Sequence, residues 1–111
     1  MAYDEELAHR IRGVLSDERG LTERVMFGGL GFMLDGHMAV AAGSRGSLMV
    51  RVDPDGAEAL VDGESVDHME MGGRSLRGWL LVESPATVDD DALAQWVGRG
   101  VAFVRALPPK E

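Results

Sequence analysis

Apolar residues recur at helical spacing near both ends of the chain. The N-terminal stripe, predicted on a helix over residues 3–16, consists of Leu7, Ile11, Val14 and Leu15. The C-terminal stripe, predicted on a helix over residues 89–107, consists of Leu93, Trp96, Val97, Val101 and Val104. Acidic residues open both segments, where the helix dipole favours negative charge. We therefore expect two amphipathic helices at the two ends of the chain.

The middle of the chain has the pattern of antiparallel strands. An Asp35-Gly36 step between two apolar runs is a strong hairpin signal, so residues 30–34 and 37–42 are predicted to pair across a two-residue turn. This turn pairs Leu34 with His37, Phe32 with Ala39 and Leu30 with Ala41. A four-residue turn at 43–46 is predicted to lead into a third strand over 47–52, with Ala41 opposite Leu48 and Ala39 opposite Val50.

This register gives the sheet two apolar faces. The face expected to bury against the helices carries Leu30, Phe32, Leu34, Ala39, Ala41, Leu48, Val50 and Val52. The other face carries Gly31, Met33, Met38, Val40, Met49 and Arg51, although an exposed sheet face is normally polar. Either another segment of the chain covers it, or it is a contact surface for a partner subunit or ligand. Because segment 64–77 is glycine-rich and polar and would cover this face poorly, we hypothesise a symmetric homodimer or a docked protein partner.

The remaining elements are shorter. Asp53-Pro54 is predicted to start a short helix that Gly63 stops, and residues 64–71 are ambiguous between strand and loop. Residues 72–78 are predicted to form a loop that contains two arginines, and 79–83 an interior strand. With no repeat and no linker, residues 1–111 are expected to form a single domain.

Composition excludes several classes of function. The chain has no cysteine, which removes disulfides, thiolate catalysis and iron–sulfur clusters. Its formal net charge of −8 and scattered arginines argue against direct binding to duplex DNA. The acidic start of the sequence does not resemble a secretory signal, and no apolar run is long enough to span a membrane, so we expect a cytoplasmic location.

No motif predicts catalysis, a metal site or a cofactor. A dinucleotide-binding fingerprint needs its glycines to lead into a helix, but the glycines at 28–31 lead into a strand. The three histidines are dispersed along the chain, which argues against a metal site. The chain is therefore expected not to be an enzyme. The one electropositive group consists of Arg51, Arg74 and Arg77, which could hold a carboxylate or phosphate, although pairing with the chain's own acidic residues is favoured.

Several segments together resemble the N-terminal domain of the TfoX/Sxy family. The most specific of them runs through Arg24-Val25-Met26-Phe27-Gly28-Gly29-Leu30-Gly31. Supporting segments are 35–38 and 48–53. Segments 72–74, 78–82, 96–97 and 107–110 look like those of the short stand-alone members of the family. The resemblance implies an α+β domain with helices packed on an antiparallel sheet, and kinship with regulators of natural competence. It implies no catalytic residues, so a non-enzymatic regulatory or interaction module is expected, with a small-ligand-binding domain or enzyme as the alternative.

Overall fold

A computed structural model of the protein describes residues 3–26, 29–43, 47–71, 73–83, 87 and 89–108. Two α-helices lie at the ends of the described chain, α1 over Glu5–Leu15 and α2 over Asp90–Arg105. Between them are six strands: β1 (Leu21–Met26), β2 (Gly29–Leu34), β3 (His37–Ala42), β4 (Leu48–Arg51), β5 (Val66–Met71) and β6 (Arg74–Val82). A 3₁₀ helix, Ala57–Leu60, lies between β4 and β5.

The described strands form one antiparallel sheet in the order β1-β2-β3-β4-β6-β5. Both α-helices and the 3₁₀ helix pack on the same face of this sheet. The core they enclose includes Leu7 and Ile11 of α1, Leu93 and Val97 of α2, and Phe32 at its centre. The predicted α+β class, with terminal helices on one face of an antiparallel sheet, is confirmed.

The predicted Asp35–Gly36 turn is confirmed. Asp35 has φ 50° and Gly36 has φ 87°, and positive φ at both central residues is the signature of a type I′ turn. Leu34 pairs with His37 as predicted.

The predicted register beyond this turn is wrong by one residue. Phe32 pairs with Val40 rather than Ala39, because a bulge adds one residue to β3 at this point. The shift moves Val40 from the predicted methionine-rich face into the core, where it is fully buried. It also turns Ala41 to the opposite face, next to Gly31 and Met49.

The connection from β3 to β4 is also one residue longer than predicted, since residues 43–47 separate Ala42 from its partner Leu48, whereas the predicted turn is 43–46. Ala42 pairs with Leu48 and Val40 with Val50, so the predicted pairs of Ala41 with Leu48 and Ala39 with Val50 are wrong. The N–H of Gly43 donates to the carbonyl of Ser47 at 2.8 Å and closes the loop. Residues 44–46 of the predicted turn lie outside the described residues.

Two further segments differ from or complete the predictions. The short helix predicted after Asp53 is instead a turn over 54–56 followed by the 3₁₀ helix, and Asp53 Oδ1 accepts from the N–H of Asp55 in that turn. The ambiguous segment contains β5, and Asp62 Oδ1 accepts from the N–H groups of Glu64, Ser65 and Val66 just before it. These three bonds favour the charged carboxylate and lower the pKa of Asp62.

The helix ends differ in how they are capped. Asp4 caps α1 as its side chain accepts from the N–H of Leu7 at 3.0 Å. Asp89 occupies the N-cap position of α2, but its side chain makes no capping bond there. Asp90 and Asp91 supply the negative charge in the first turn of α2.

Candidate functional site

The sheet face opposite the helices is the candidate site, and we call it the open face. All helices of the described residues pack on the other side of the sheet. Strand alternation and pairing place on the open face Gly31, Met33, Met38, Ala41, Met49, Trp79 and Leu81. The three methionines, Trp79 and Leu81 are half-buried, so apolar atoms of all five reach the surface. Large apolar side chains clustered on one face are typical of a contact surface.

One row of the open face crosses all six strands. Consecutive strand pairs place side by side Arg24, Gly31, Ala41, Met49, Leu81 and Asp67. With neighbouring strands about 4.8 Å apart, the row is about 24 Å long. Its basic end, Arg24, is exposed, and no carboxylate of the described residues forms an ion pair with it. Its acidic end, Asp67, is exposed beside a hollow of about 370 Å³ that Glu64, Glu70 and Glu83 also line.

Two of the methionines lie against glycines of the same sheet. A Cβ at Gly31 would lie 2.8 Å from Cε and 3.2 Å from Sδ of Met38. A Cβ at Gly29 would lie 3.3 Å from Cε of Met49 and 2.9 Å from the carbonyl oxygen of Ala42. Each methionine therefore places its terminal methyl group over strand backbone that carries no side chain. Because methionine has several low-energy shapes, this cover can adjust when another surface approaches.

A second feature is a shallow groove of about 420 Å³ between the end of β4, the 3₁₀ helix and α2. It is lined by Val52, Asp53, Gly56, Leu60, Arg99, Ala102, Phe103 and Ala106. The guanidinium of Arg51 lies 5.3 Å from the ring centroid of Phe103, and that of Arg99 lies 4.3 Å from the ring centroid of Trp96. Within the part of the chain that the structure describes, neither arginine pairs with a carboxylate.

The profile of the TfoX N-terminal domain matches residues 14–104. The chain belongs to this family. A solved structure of similar fold is the crystal structure of Deinococcus radiodurans protein DR2400, which carries a DUF419 domain. The two share 19% identity with a TM-score of 0.70, over 90% of this chain and 79% of that one. Among curated proteins, none matches this TfoX domain.

Two glycines of the motif that carried the resemblance have a packing role in this TfoX domain. Gly29 and Gly31 lie beneath Met49 and Met38, so larger residues there would displace the methionines. Met26 ends β1 and pairs with Gly29, whereas Phe27 and Gly28 lie outside the described residues.

The three arginines predicted as one electropositive group have separate contacts in the TfoX domain. Arg51 contacts Phe103, and the exposed Arg77 lies 3.4 Å from Oδ1 of Asp55. Arg74 begins β6, where it pairs with Met71, so Arg74 and Arg77 lie on a strand rather than in the predicted loop. Sequence reasoning missed Arg99, although its helical spacing from Trp96 and Phe103 placed it beside two aromatic rings.

Most other cations of the described residues are in ion pairs. Arg12 donates two hydrogen bonds to Glu23, at 2.7 and 2.9 Å, and these bonds lower the pKa of the Glu23 carboxyl. Arg105 contacts Asp35 and Glu18, and so joins α2 to the Asp35–Gly36 turn and to the segment before β1.

Neither a metal cluster nor a membrane-spanning helix is found in the described ranges. No three of their histidine, aspartate and glutamate side chains gather as metal ligands, and no helix is both long and apolar enough to cross a bilayer. The imidazole of His68 instead lies 2.8 Å from Glu58, and that of His37 lies 2.7 Å from the carbonyl oxygen of Pro108.

Proposed function

We propose that this TfoX N-terminal domain is a non-enzymatic regulatory module that acts by binding another protein through the open face. The observation that carries the proposal is the cluster of half-buried apolar side chains on the open face, none of which is covered by a helix of the described residues. Met33, Met38 and Met49 supply flexible apolar contact, and Trp79 supplies a large, less flexible anchor.

The chemistry of the open face favours contact over catalysis. Its apolar centre carries no nucleophile and no pair of titratable side chains, whereas general acid–base or nucleophilic catalysis needs such groups within hydrogen-bond reach. A regulatory role agrees with membership of the TfoX family and with the expected kinship to competence regulators.

The test compares two aspartate substitutions in a pull-down from extract of the native cell. Met49→Asp places a charge in the middle of the open face, and the matched control Val14→Asp places one on the exposed side of α1. We expect the wild type and Val14→Asp to retain the same proteins and Met49→Asp to lose them, with all three chains folded by circular dichroism. Equal retention by Met49→Asp would show that the open face is not the binding surface.

The groove favours a second candidate function, the binding of an amphiphilic carboxylate. In a chain of net charge −8, Arg51 and Arg99 rest on aromatic rings instead of pairing with a described carboxylate. Stacking occupies the flat side of a guanidinium and leaves its N–H edge able to bind an anion. The apolar wall of Val52, Leu60 and Phe103 would take the attached hydrocarbon.

Sodium octanoate tests this second candidate by NMR titration, with 1-octanol as the uncharged control. We expect octanoate alone to shift the amide signals of Leu60, Ala102 and Phe103, and Arg99→Gln to abolish the shifts. Arg77→Gln should leave them intact, because Arg77 does not line this groove. Equal shifts with octanol, or no effect of Arg99→Gln, would exclude recognition of the carboxylate.

A further inference from the structure

The charges at the two ends of the open-face row have opposite signs. Arg24 lies at the β1 end and Asp67 at the β5 end, with Gly31, Ala41, Met49 and Leu81 between them. The midpoint of the row lies between Ala41 of β3 and Met49 of β4. A surface with opposite charges at equal distances from its centre is complementary to a copy of itself that has been turned around.

We propose that the open face binds a second copy of this chain, about a twofold axis parallel to the strands that passes between Ala41 and Met49. This inference rests on the proposed function, since it names the partner of the same face. The axis reverses the row in the second copy. Arg24 of each copy then lies opposite Asp67 of the other, so the interface contains this ion pair twice.

The apolar positions of the row are complementary under the same axis. Ala41 of one copy lies opposite Met49 of the other, which sets a small side chain against a large one. Gly31 lies opposite Leu81, with the thioether of Met38 between them as the adjustable layer over Gly31. Opposition of large with small side chains lets two sheet faces interdigitate.

Other symmetric arrangements on this face are electrostatically worse. A twofold axis along the row, rather than along the strands, would set Arg24 against Arg24 and Asp67 against Asp67. The acidic hollow beside Asp67, with Glu64, Glu70 and Glu83, would make that second contact still more repulsive. The charges therefore select the axis parallel to the strands.

The size of the face sets the expected strength of association. A row of about 24 Å and strands of about 20 Å give about 500 Å² on each copy, or about 1,000 Å² in total. Interfaces of this size are at the weak, transient end of the range, so we expect a dimer that dissociates readily rather than a permanent one.

Charge reversal tests the geometry by sedimentation-velocity ultracentrifugation. Arg24→Glu alone sets the introduced carboxylate against Asp67 twice, and Asp67→Arg alone sets the introduced guanidinium against Arg24 twice. Each variant should therefore self-associate at least about tenfold more weakly than wild type. An equimolar mixture should recover dimers, because a heterodimer of the two variants contains one native and one reversed ion pair. Recovery in the mixture also excludes misfolding of either variant as the cause of the loss.

The matched controls come from an exposed pair of the same residue types elsewhere on the surface. Arg77 and Asp55 lie 3.4 Å apart and are both exposed, so Arg77→Glu and Asp55→Arg make the same charge changes away from the open-face row. Each should dimerise like wild type.

Three results would overturn the inference. They are a wild-type chain that is monomeric up to about 1 mM, single reversals that dimerise like wild type, and a mixture that fails to recover dimers. None of these results decides whether the open face binds another protein, because the pull-down with Met49→Asp measures that separately. Conversely, a twofold dimer with the expected charge dependence would stand even if no other protein were retained from extract.

Discussion

At the scale of single residues, two glycines of α2 differ in how much space surrounds them. Gly98 is exposed, and a Cβ there would meet no atom within 4 Å. Gly100 is buried against β3, where a Cβ would overlap the carbonyl oxygen of Ala39 and lie 3.0 Å from Cγ1 of Val40. The close approach of α2 to the bulged part of β3 therefore requires glycine at 100 and not at 98.

Alanine at each position should change stability in opposite directions. Gly100→Ala should lower the free energy of unfolding by about 1–3 kcal/mol, because the backbone of Ala39 cannot move aside freely. Gly98→Ala should raise it by about 0.5–1 kcal/mol, through the better helix propensity of alanine. Urea unfolding followed by circular dichroism measures both. A loss at 98 or a gain at 100 would mean that α2 packs on the sheet through another face.

The large aromatic side chain at the centre of the core gives a second expectation. Phe32 has no exposed surface, so Phe32→Ala should lower the free energy of unfolding by about 3–5 kcal/mol. Met33 follows it in β2 but is half-buried on the open face, and Met33→Ala should cost clearly less. Similar losses in the two variants, measured by urea unfolding, would contradict the assignment of the two faces.

At the scale of elements, one ion pair joins α1 to the edge strand β1. Arg12 holds both carboxylate oxygens of Glu23, and Glu23 lies on the same face of the sheet as the helices. β1 itself is largely exposed, although its Leu21 is partly buried and packs against the core. The ion pair, the packing of Leu21 and the backbone bonds to β2 together hold β1 in the sheet.

The lowered pKa of Glu23 makes the contribution of this pair depend on pH. A carboxyl whose pKa is lower when folded stabilises the fold above its unfolded pKa of about 4.5, and this stabilisation is lost as the pH falls through the folded pKa. Because the pair is partly exposed, Glu23→Gln should cost about 0.5–1 kcal/mol at pH 7. The difference from wild type should shrink steadily toward about pH 3. Urea unfolding at the two pH values measures it, and a pH-independent difference would rule out the charge of Glu23 as its source.

At the scale of the whole molecule, negative charge dominates. The net charge is −8, and most arginines of the described residues are paired with carboxylates or stacked on rings. A protein binds duplex DNA mainly by neutralising phosphates with a cluster of cations.

This chain alone should therefore not bind duplex DNA at physiological salt. Fluorescence anisotropy with a labelled duplex should show no saturable binding at micromolar protein concentration. Salt-sensitive binding with a sub-micromolar dissociation constant would contradict this expectation and would point to a local basic surface.

How well the sequence predicts an element depends on whether interactions between neighbouring residues determine that element. Both α-helices and the Asp35–Gly36 turn were predicted, because apolar periodicity and turn chemistry act over a few residues. β1 was missed, since its residues 21–26 mix charged and apolar side chains without alternation. Of the candidate site, the methionines were placed correctly on one face, but Arg74 and Arg77 were assigned to a loop instead of β6.

The amino-acid sequence by itself determined the amphipathic helices, the hairpin turn and the methionine-rich face, because each depends on periodicity or on a backbone shape that glycine and aspartate favour. The register beyond the turn was decided by tertiary structure. The bulge at Ala39 directs both Ala39 and Val40 toward α2, where Gly100 leaves room for them. No local pattern encodes that fit, since it joins residues about sixty positions apart. The same shift put Ala41 beside Met49, at the point about which the open face is complementary to itself.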